Sequence, residues 1–156
     1  MKIRLLCLAA IFAATPIFAQ HDIVNMQSIT EVKGSTSTFT GSVITQNFVK
    51  PDDNSRYSGT IVTFAPGART FWHTHPAGQR LIVIEGEGLV GTADGTAQRI
   101  KAGDIVWCPA QIKHFHAATK DSKMRHIALT NEKDGKTVEW LEEVSDSQYE
   151  DFLKKE

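Results

Sequence analysis

Five of the six histidines fall between residues 73 and 126: His73, His75, His114, His116 and His126. The sixth, His21, lies near the N-terminus and carries no pattern. His73 and His75 form one His-x-His pair, and His114 and His116 form another. On an extended segment, residues two apart point to the same face, so each pair can turn both imidazoles toward one point. Neutral imidazole is a common ligand for divalent transition ions. His126 shares a strand face with Met124 and Ala128. A single histidine of this kind is usually a satisfied polar group. Two pairs and a fifth residue on neighbouring strands describe a metal pocket.

The elements that must position these residues are short and extended. Thr60–Phe64 ends at Pro66-Gly67, and Thr70–His73 ends at Pro76-Ala77-Gly78. Arg80–Ile84 ends at Glu85-Gly86-Glu87-Gly88, after which Leu89-Val90 runs on toward Asp94-Gly95. Asp104–Cys108 ends at Pro109, and Lys113–Ala118 and Met124–Thr130 complete the set. Short strands at this spacing predict an all-β antiparallel sandwich or barrel. Residues 20–56 read as N-terminal strands and loops, with Ser35–Ser42 irregular, Ser42–Val49 an edge strand and Pro51–Ser55 a turn. Helix is expected only over 146–156, where Ser145 and Gln148 fit a capping box and Tyr149, Phe152 and Leu153 share one face.

The chain of 156 residues has formal net charge −1 and 22% charged residues. The length suits one folded domain. The balance, with no Lys/Arg-rich block, excludes nucleic acid as the main partner. Residues 1–19 read as a secretory signal: Lys2 and Arg4, an apolar run from Leu5 to Ala14, and a cleavage region ending at Ala19. That run is too short to span a bilayer. The expected location is therefore periplasmic or secreted, with no membrane partner after signal removal. Cys7 leaves with the signal, so Cys108 has no intrachain disulfide partner. It reads as a small core residue.

Spacing sharpens the metal site. Gly67, five residues, His73-Thr74-His75, three residues, Gln79, six residues and Gly86 resemble the first motif of the cupins, with Gln79 where glutamate is usual. Gly103, Pro109 and His114 match the second motif, with Gln111 at a position that is usually glycine. The resemblance implies a double-stranded β-helix (jelly-roll, cupin) barrel over residues 57–145, with His73, His75, Gln79 and His114 holding a metal inside it. Further likeness lies in Phe64–Gln79, Gly103–Trp107, Lys113–His116, Met124–His126 and Asp134–Trp140. These segments are similar to the bacterial manganese-dependent cupin hydroxynitrile lyases. Manganese is then the first expectation for the ion, with iron, zinc, nickel and copper compatible with the same donors.

Gln79 brings no charge, so a divalent ion there keeps its full +2 and polarises a bound oxygen more strongly than beside glutamate. The resemblance implies a lyase that cleaves the C–C bond of a cyanohydrin, or of a related small hydroxy or carbonyl compound. His116 or His126, as a non-ligand pocket histidine with a pKa near 6.5, would take the hydroxyl proton. Alternatives are an iron- or copper-dependent dioxygenase and a non-catalytic small-molecule-binding cupin. Single-domain cupins imply a homodimer or tetramer. Trp72 reads as packing. Phe71 and Phe115 read as a separate core layer, and Arg69, Arg80 and Arg125 as surface charges.

Overall fold

The computed structural model describes residues 21–155. The leader read in residues 1–19 lies outside them. A 3₁₀ turn at Met26–Ser28 precedes twelve strands: β1 (Val32–Lys33), β2 (Phe39–Thr40), β3 (Val43–Val49), β4 (Tyr57–Phe64), β5 (Arg69–Thr70), β6 (His73–Thr74), β7 (Gln79–Thr92), β8 (Ala97–Lys101), β9 (Ile105–Cys108), β10 (His114–Ala118), β11 (Met124–Asn131) and β12 (Glu139–Trp140). Helix α1 spans Asp146–Leu153. All strand pairings are antiparallel, as a barrel of hairpins and crossovers requires.

One wall runs β1-β3-β4-β11-β7-β9, and the facing wall carries β8, the far half of β7, β10, β5 and β6, with β2 and β12 at its edge. Strand β7 belongs to both. The sequence ends a strand at Ile84, before Glu85-Gly86, but the chain continues through a bulge. The β11 register shifts between Arg125 and His126. Gly86 takes φ 71°, and a Cβ there would lie 1.7 Å from the Lys123 carbonyl oxygen. The cupin-motif glycine is thus the point where β7 bends from one wall into the other.

Two buried clusters follow from strand alternation. Val62, Phe64, Leu81, Val83, Val90, Ile100 and Met124 fill the space between the walls. Trp72, Leu89, Phe115, Ala117, Val144, Tyr149 and Phe152 form a second layer beneath α1, on the outer side of β10. All five residues of β10 are buried because both of its faces are covered. Trp72 packs edge-on against Phe115 at 4.9 Å. The helix begins with the expected capping box: Gln148 N donates to Ser145 Oγ, and Ser145 N donates to Gln148 Oε1.

Three expectations need correction, and one strand was not expected. The segment Ser42–Val49 is not an edge, because β3 lies between β1 and β4. The single strand expected over Thr70–His73 is broken at Phe71-Trp72 into β5 and β6, and Phe71 is only half-buried. Strand β8 had no sequence signal, since it buries only Ile100 of five residues. Arg69 is not a surface charge: it is 4% exposed, donates from Nε to the Val144 carbonyl, pairs with Asp146 and lies over the Tyr149 ring. It ties α1 to β5. Arg80 is exposed over Trp107, and Arg125 is half-buried against Gln46.

Candidate metal centre

Strands β6 and β10 lie side by side with His73 opposite His114, while β12 flanks the other edge with Trp140 opposite His73. Alternation then brings His116 to the same inner face as His114. His75 follows the end of β6, and a turn through Pro76–Gly78 returns the chain to Gln79, the first residue of β7. Gly78 takes φ 79°, and a Cβ there would lie 2.4 Å from the Trp107 ring. The three-residue gap between His75 and Gln79 is therefore a tight turn that only glycine closes. His126 enters from β11, between Val62 of β4 and Val83 of β7.

The five imidazoles stand together. Ring centroids lie 4.4 Å apart for His73 and His114, 5.0 Å for His73 and His75, 5.3 Å for His75 and His114, and 5.3 Å for His116 and His126. Each ring is at most 2% exposed. His73, His114 and His116 each place a nitrogen within 4.8 Å of the other two. This three-histidine group overlaps the ligand set inferred from the sequence but exchanges His75 for His116.

The hydrogen bonds divide these residues further. Nδ1 of His73, His75 and His114 lies against a backbone carbonyl, of Phe71 at 2.9 Å, Thr137 at 2.7 Å and Ile112 at 2.7 Å. A carbonyl only accepts, so each Nδ1 carries the proton and each Nε2 presents a lone pair. Ligating histidines are oriented by this kind of partner. Gln79 follows the same logic: Nε2 donates to Thr130 Oγ1 at 2.8 Å, leaving Oε1 free. Among the described residues, His75 Nε2, His114 Nε2 and Gln79 Oε1 are buried with no hydrogen-bond partner. Three inward lone pairs left bare in one place are costly unless a cation takes them. The donor set fits a divalent transition ion.

His116 and His126 differ from this set. His116 Nε2 lies 3.8 Å from Cys108 Sγ, and its backbone N–H donates to Thr70 Oγ1. Both ring nitrogens of His126 are unpartnered, and its ring lies 5.5 Å from Phe64. Burial dominates the titration of all five. It lowers His114 and His126 from 6.5 to about 4 and drives His73 and His116 well below 6.5, with neighbouring imidazoles adding to it. His75 is lowered less, because the Thr137 carbonyl and Gln79 favour its charged form. The ordinary histidine pKa expected for the pocket base is thus corrected: every ring here is neutral at pH 7. Burial pushes the Cys108 thiol up to about 12, consistent with a core residue rather than a nucleophile.

The site opens into a cavity of ≈ 400 Å³, within the range of small-molecule sites. His73, His75, Gln79, His116 and His126 line it, with Phe39 and Trp140 along one side. The sequence reading missed Thr130, the Thr137 carbonyl and Trp140. Thr130 was within reach, since it continues the Met124, His126, Ala128 alternation. The other two sit in or beside the 132–138 loop, where no periodicity speaks.

A two-walled antiparallel barrel with histidines converging inside it defines a cupin. The comparisons agree: the cupin domain model matches residues 60–130, and the chain belongs to the cupin family. It is 44% identical over 117 residues to an (R)-mandelonitrile lyase of Granulicella tundricola, spanning 75% of this chain and 89% of that one. A crystal structure of a cupin-like protein from Thermotoga maritima is 37% identical, covers 83% of this chain and 95% of its own, and superposes with a TM-score of 0.71. The polyketide cyclase RemF from Streptomyces resistomycificus shares the fold, at 16% identity and a TM-score of 0.63 over 86% of this chain and 97% of its own.

Proposed function

We propose that this cupin is a metal-dependent lyase that cleaves the C–C bond of a cyanohydrin to an aldehyde and hydrogen cyanide. The observation that carries the reading is His126. It is a buried, neutral imidazole with both nitrogens unpartnered, in the same cavity as the unpartnered His75 Nε2 and Gln79 Oε1, with His114 beside His75. The named lyase relative supports it.

His73, His75, Gln79 and His114 would hold the ion, manganese first, because their outer nitrogens are already pinned. A divalent ion with neutral donors supplies Lewis acidity that acidifies a nearby hydroxyl. His126 takes the hydroxyl proton at a bare ring nitrogen. The oxygen–hydrogen electron pair becomes the second bond of the carbonyl. The carbon–nitrile bond breaks, and its electrons leave with cyanide. The imidazolium then returns the proton to cyanide. His116, whose backbone N–H donates to Thr70 Oγ1 and whose ring faces Cys108, lines the same cavity.

The test is benzaldehyde release from (R)-mandelonitrile by manganese-loaded and metal-free protein at mildly acidic pH. Release should require metal. His126→Ala should lose about 10²–10⁴ in rate while keeping its metal, the range for a general base. Full activity in that variant would remove His126 from the mechanism.

The His73, His114 and His116 group favours a second reading, an oxygen-using three-histidine cupin. Oxygen uptake with no cyanide release would select it. We further propose export, on the leader of residues 1–19. N-terminal sequencing of periplasmic protein, with Gln20 as the expected first residue, checks it.

A further inference from the structure

The cavity has two chemically distinct ends, and the lyase reading uses only one of them. The inner end holds the imidazoles. At the outer end, β3 and β4 present Asn47, Ser58 and Thr60, and Lys50 follows β3 at the mouth. Lys50 is the one charged residue that lines the cavity, and no carboxylate faces it among the described residues. Four other lysines, Lys113, Lys120, Lys123 and Lys154, each meet an acidic side chain; Lys50 meets none. Thr60 Oγ1 donates to Asn47 Oδ1 at 2.7 Å. That bond fixes the Asn47 amide so that its NH₂ group remains available to a ligand. The outer end therefore offers an ammonium, an amide NH₂ and a serine hydroxyl, with no competing anion.

We propose that the substrate carries a carboxylate at the end remote from its reacting hydroxyl, bound by Lys50 with Asn47 and Ser58. This rests on the lyase reading for the orientation of the substrate, hydroxyl inward. It assigns the substrate class: hydroxy or carbonyl compounds with an anionic tail rather than neutral aryl cyanohydrins. A cation and amide donors match a carboxylate through charge-assisted hydrogen bonds. An uncharged substrate leaves them solvated and gains nothing from them.

The experiment measures binding, not turnover. Benzyl alcohol and para-(hydroxymethyl)benzoate are titrated into the manganese-loaded and metal-free protein by calorimetry. The benzoate should bind about tenfold more tightly, and the advantage should shrink as salt rises, because the mouth is exposed. In Lys50→Gln the ratio of the two affinities should fall to near one. Equal affinities in the unaltered protein, or no binding of either compound, would overturn the proposal. So would a preference that survives in Lys50→Gln, since the carboxylate would then be seated on the imidazole end. The lyase reading is judged separately, by aldehyde release from (R)-mandelonitrile and from its para-carboxylate. A protein that releases aldehyde from neither yet prefers the benzoate through Lys50 fails that reading and keeps the carboxylate site alone.

Discussion

The two ends of the barrel interior are built by the same strands and obey opposite rules. Strand β7 places Gln79 among the imidazoles and Leu81 and Val83 in the apolar core; β11 places Thr130 and His126 with the first group and Ala128 and Met124 with the second. At the closed end the contacts are apolar and complete, with Phe64, Leu81 and Met124 fully buried. At the open end, buried nitrogens and an amide oxygen lack partners. A fold this size can carry such a defect because the packed end and the helix layer hold the walls in place. Complete packing marks one group of residues, and unpartnered donors mark the other.

Substitutions should separate these roles, and the largest effects should come from the ligand positions. His114→Ala should reduce metal affinity by at least about a hundredfold, beyond what losing an outer partner costs, and turnover should follow. The metal-free fold should weaken less than in Leu81→Ala, since the ring removed carries an unpartnered buried nitrogen. Leu81→Ala should do the reverse. It should cost about 2–5 kcal/mol of stability through the cavity it leaves, with metal content unchanged. Urea unfolding and metal analysis of both variants read the two outcomes. A His114→Ala protein that unfolds as readily as Leu81→Ala would show that the ends are not separable.

Acid should also act on one end only. His114 and His126 are lowered from 6.5 to about 4 by burial. Between those values the unfolded chain binds protons that the folded chain refuses, so stability rises with pH across the window. It is present in full above pH 6.5 and is lost as pH falls toward 4. Each group accounts for about 3 kcal/mol at the bottom of the window. The metal-free protein should therefore lose thermal stability steeply from pH 6.5 to 4. His126→Phe, which removes one of these groups while filling the space beside Phe64, should flatten the slope. A slope unchanged in that variant would place the acid sensitivity elsewhere.

The site was more legible in the sequence than the walls that carry it. His-x-His spacing reports strand geometry directly, and the Gly67 to Gly86 run encodes a turn and a bulge as fixed distances. The capping box at Ser145 was equally plain, because both partners lie within four residues. What could not be read depends on distant contacts. Arg69 looks like a surface charge because its partners, Val144 and Asp146, are more than seventy residues away. Strand β8 is polar at most positions, so its pairing with β7 leaves no pattern. Gln111, at a position where glycine is usual, adopts φ 63° with its N–H on the His75 carbonyl. The backbone there takes a glycine-type conformation without a glycine.

The finest test concerns a bond between the two ends' own strands. Gln79 can aim its oxygen at the imidazoles only if its amide nitrogen has somewhere else to donate, and Thr130 Oγ1 supplies that acceptor across β7 and β11. Thr130→Val keeps the shape and removes the acceptor. The amide is then free to turn its NH₂ toward the cluster, where it offers hydrogens to lone pairs that should meet a cation. Metal affinity should fall about tenfold, at the lower edge of what outer partners contribute, while urea stability of the metal-free protein changes little. Thr130→Ser restores the hydroxyl and should restore the affinity. If valine and serine bind metal alike, Gln79 is oriented by something other than this bond. The open end would then owe its order to packing, as the closed end does.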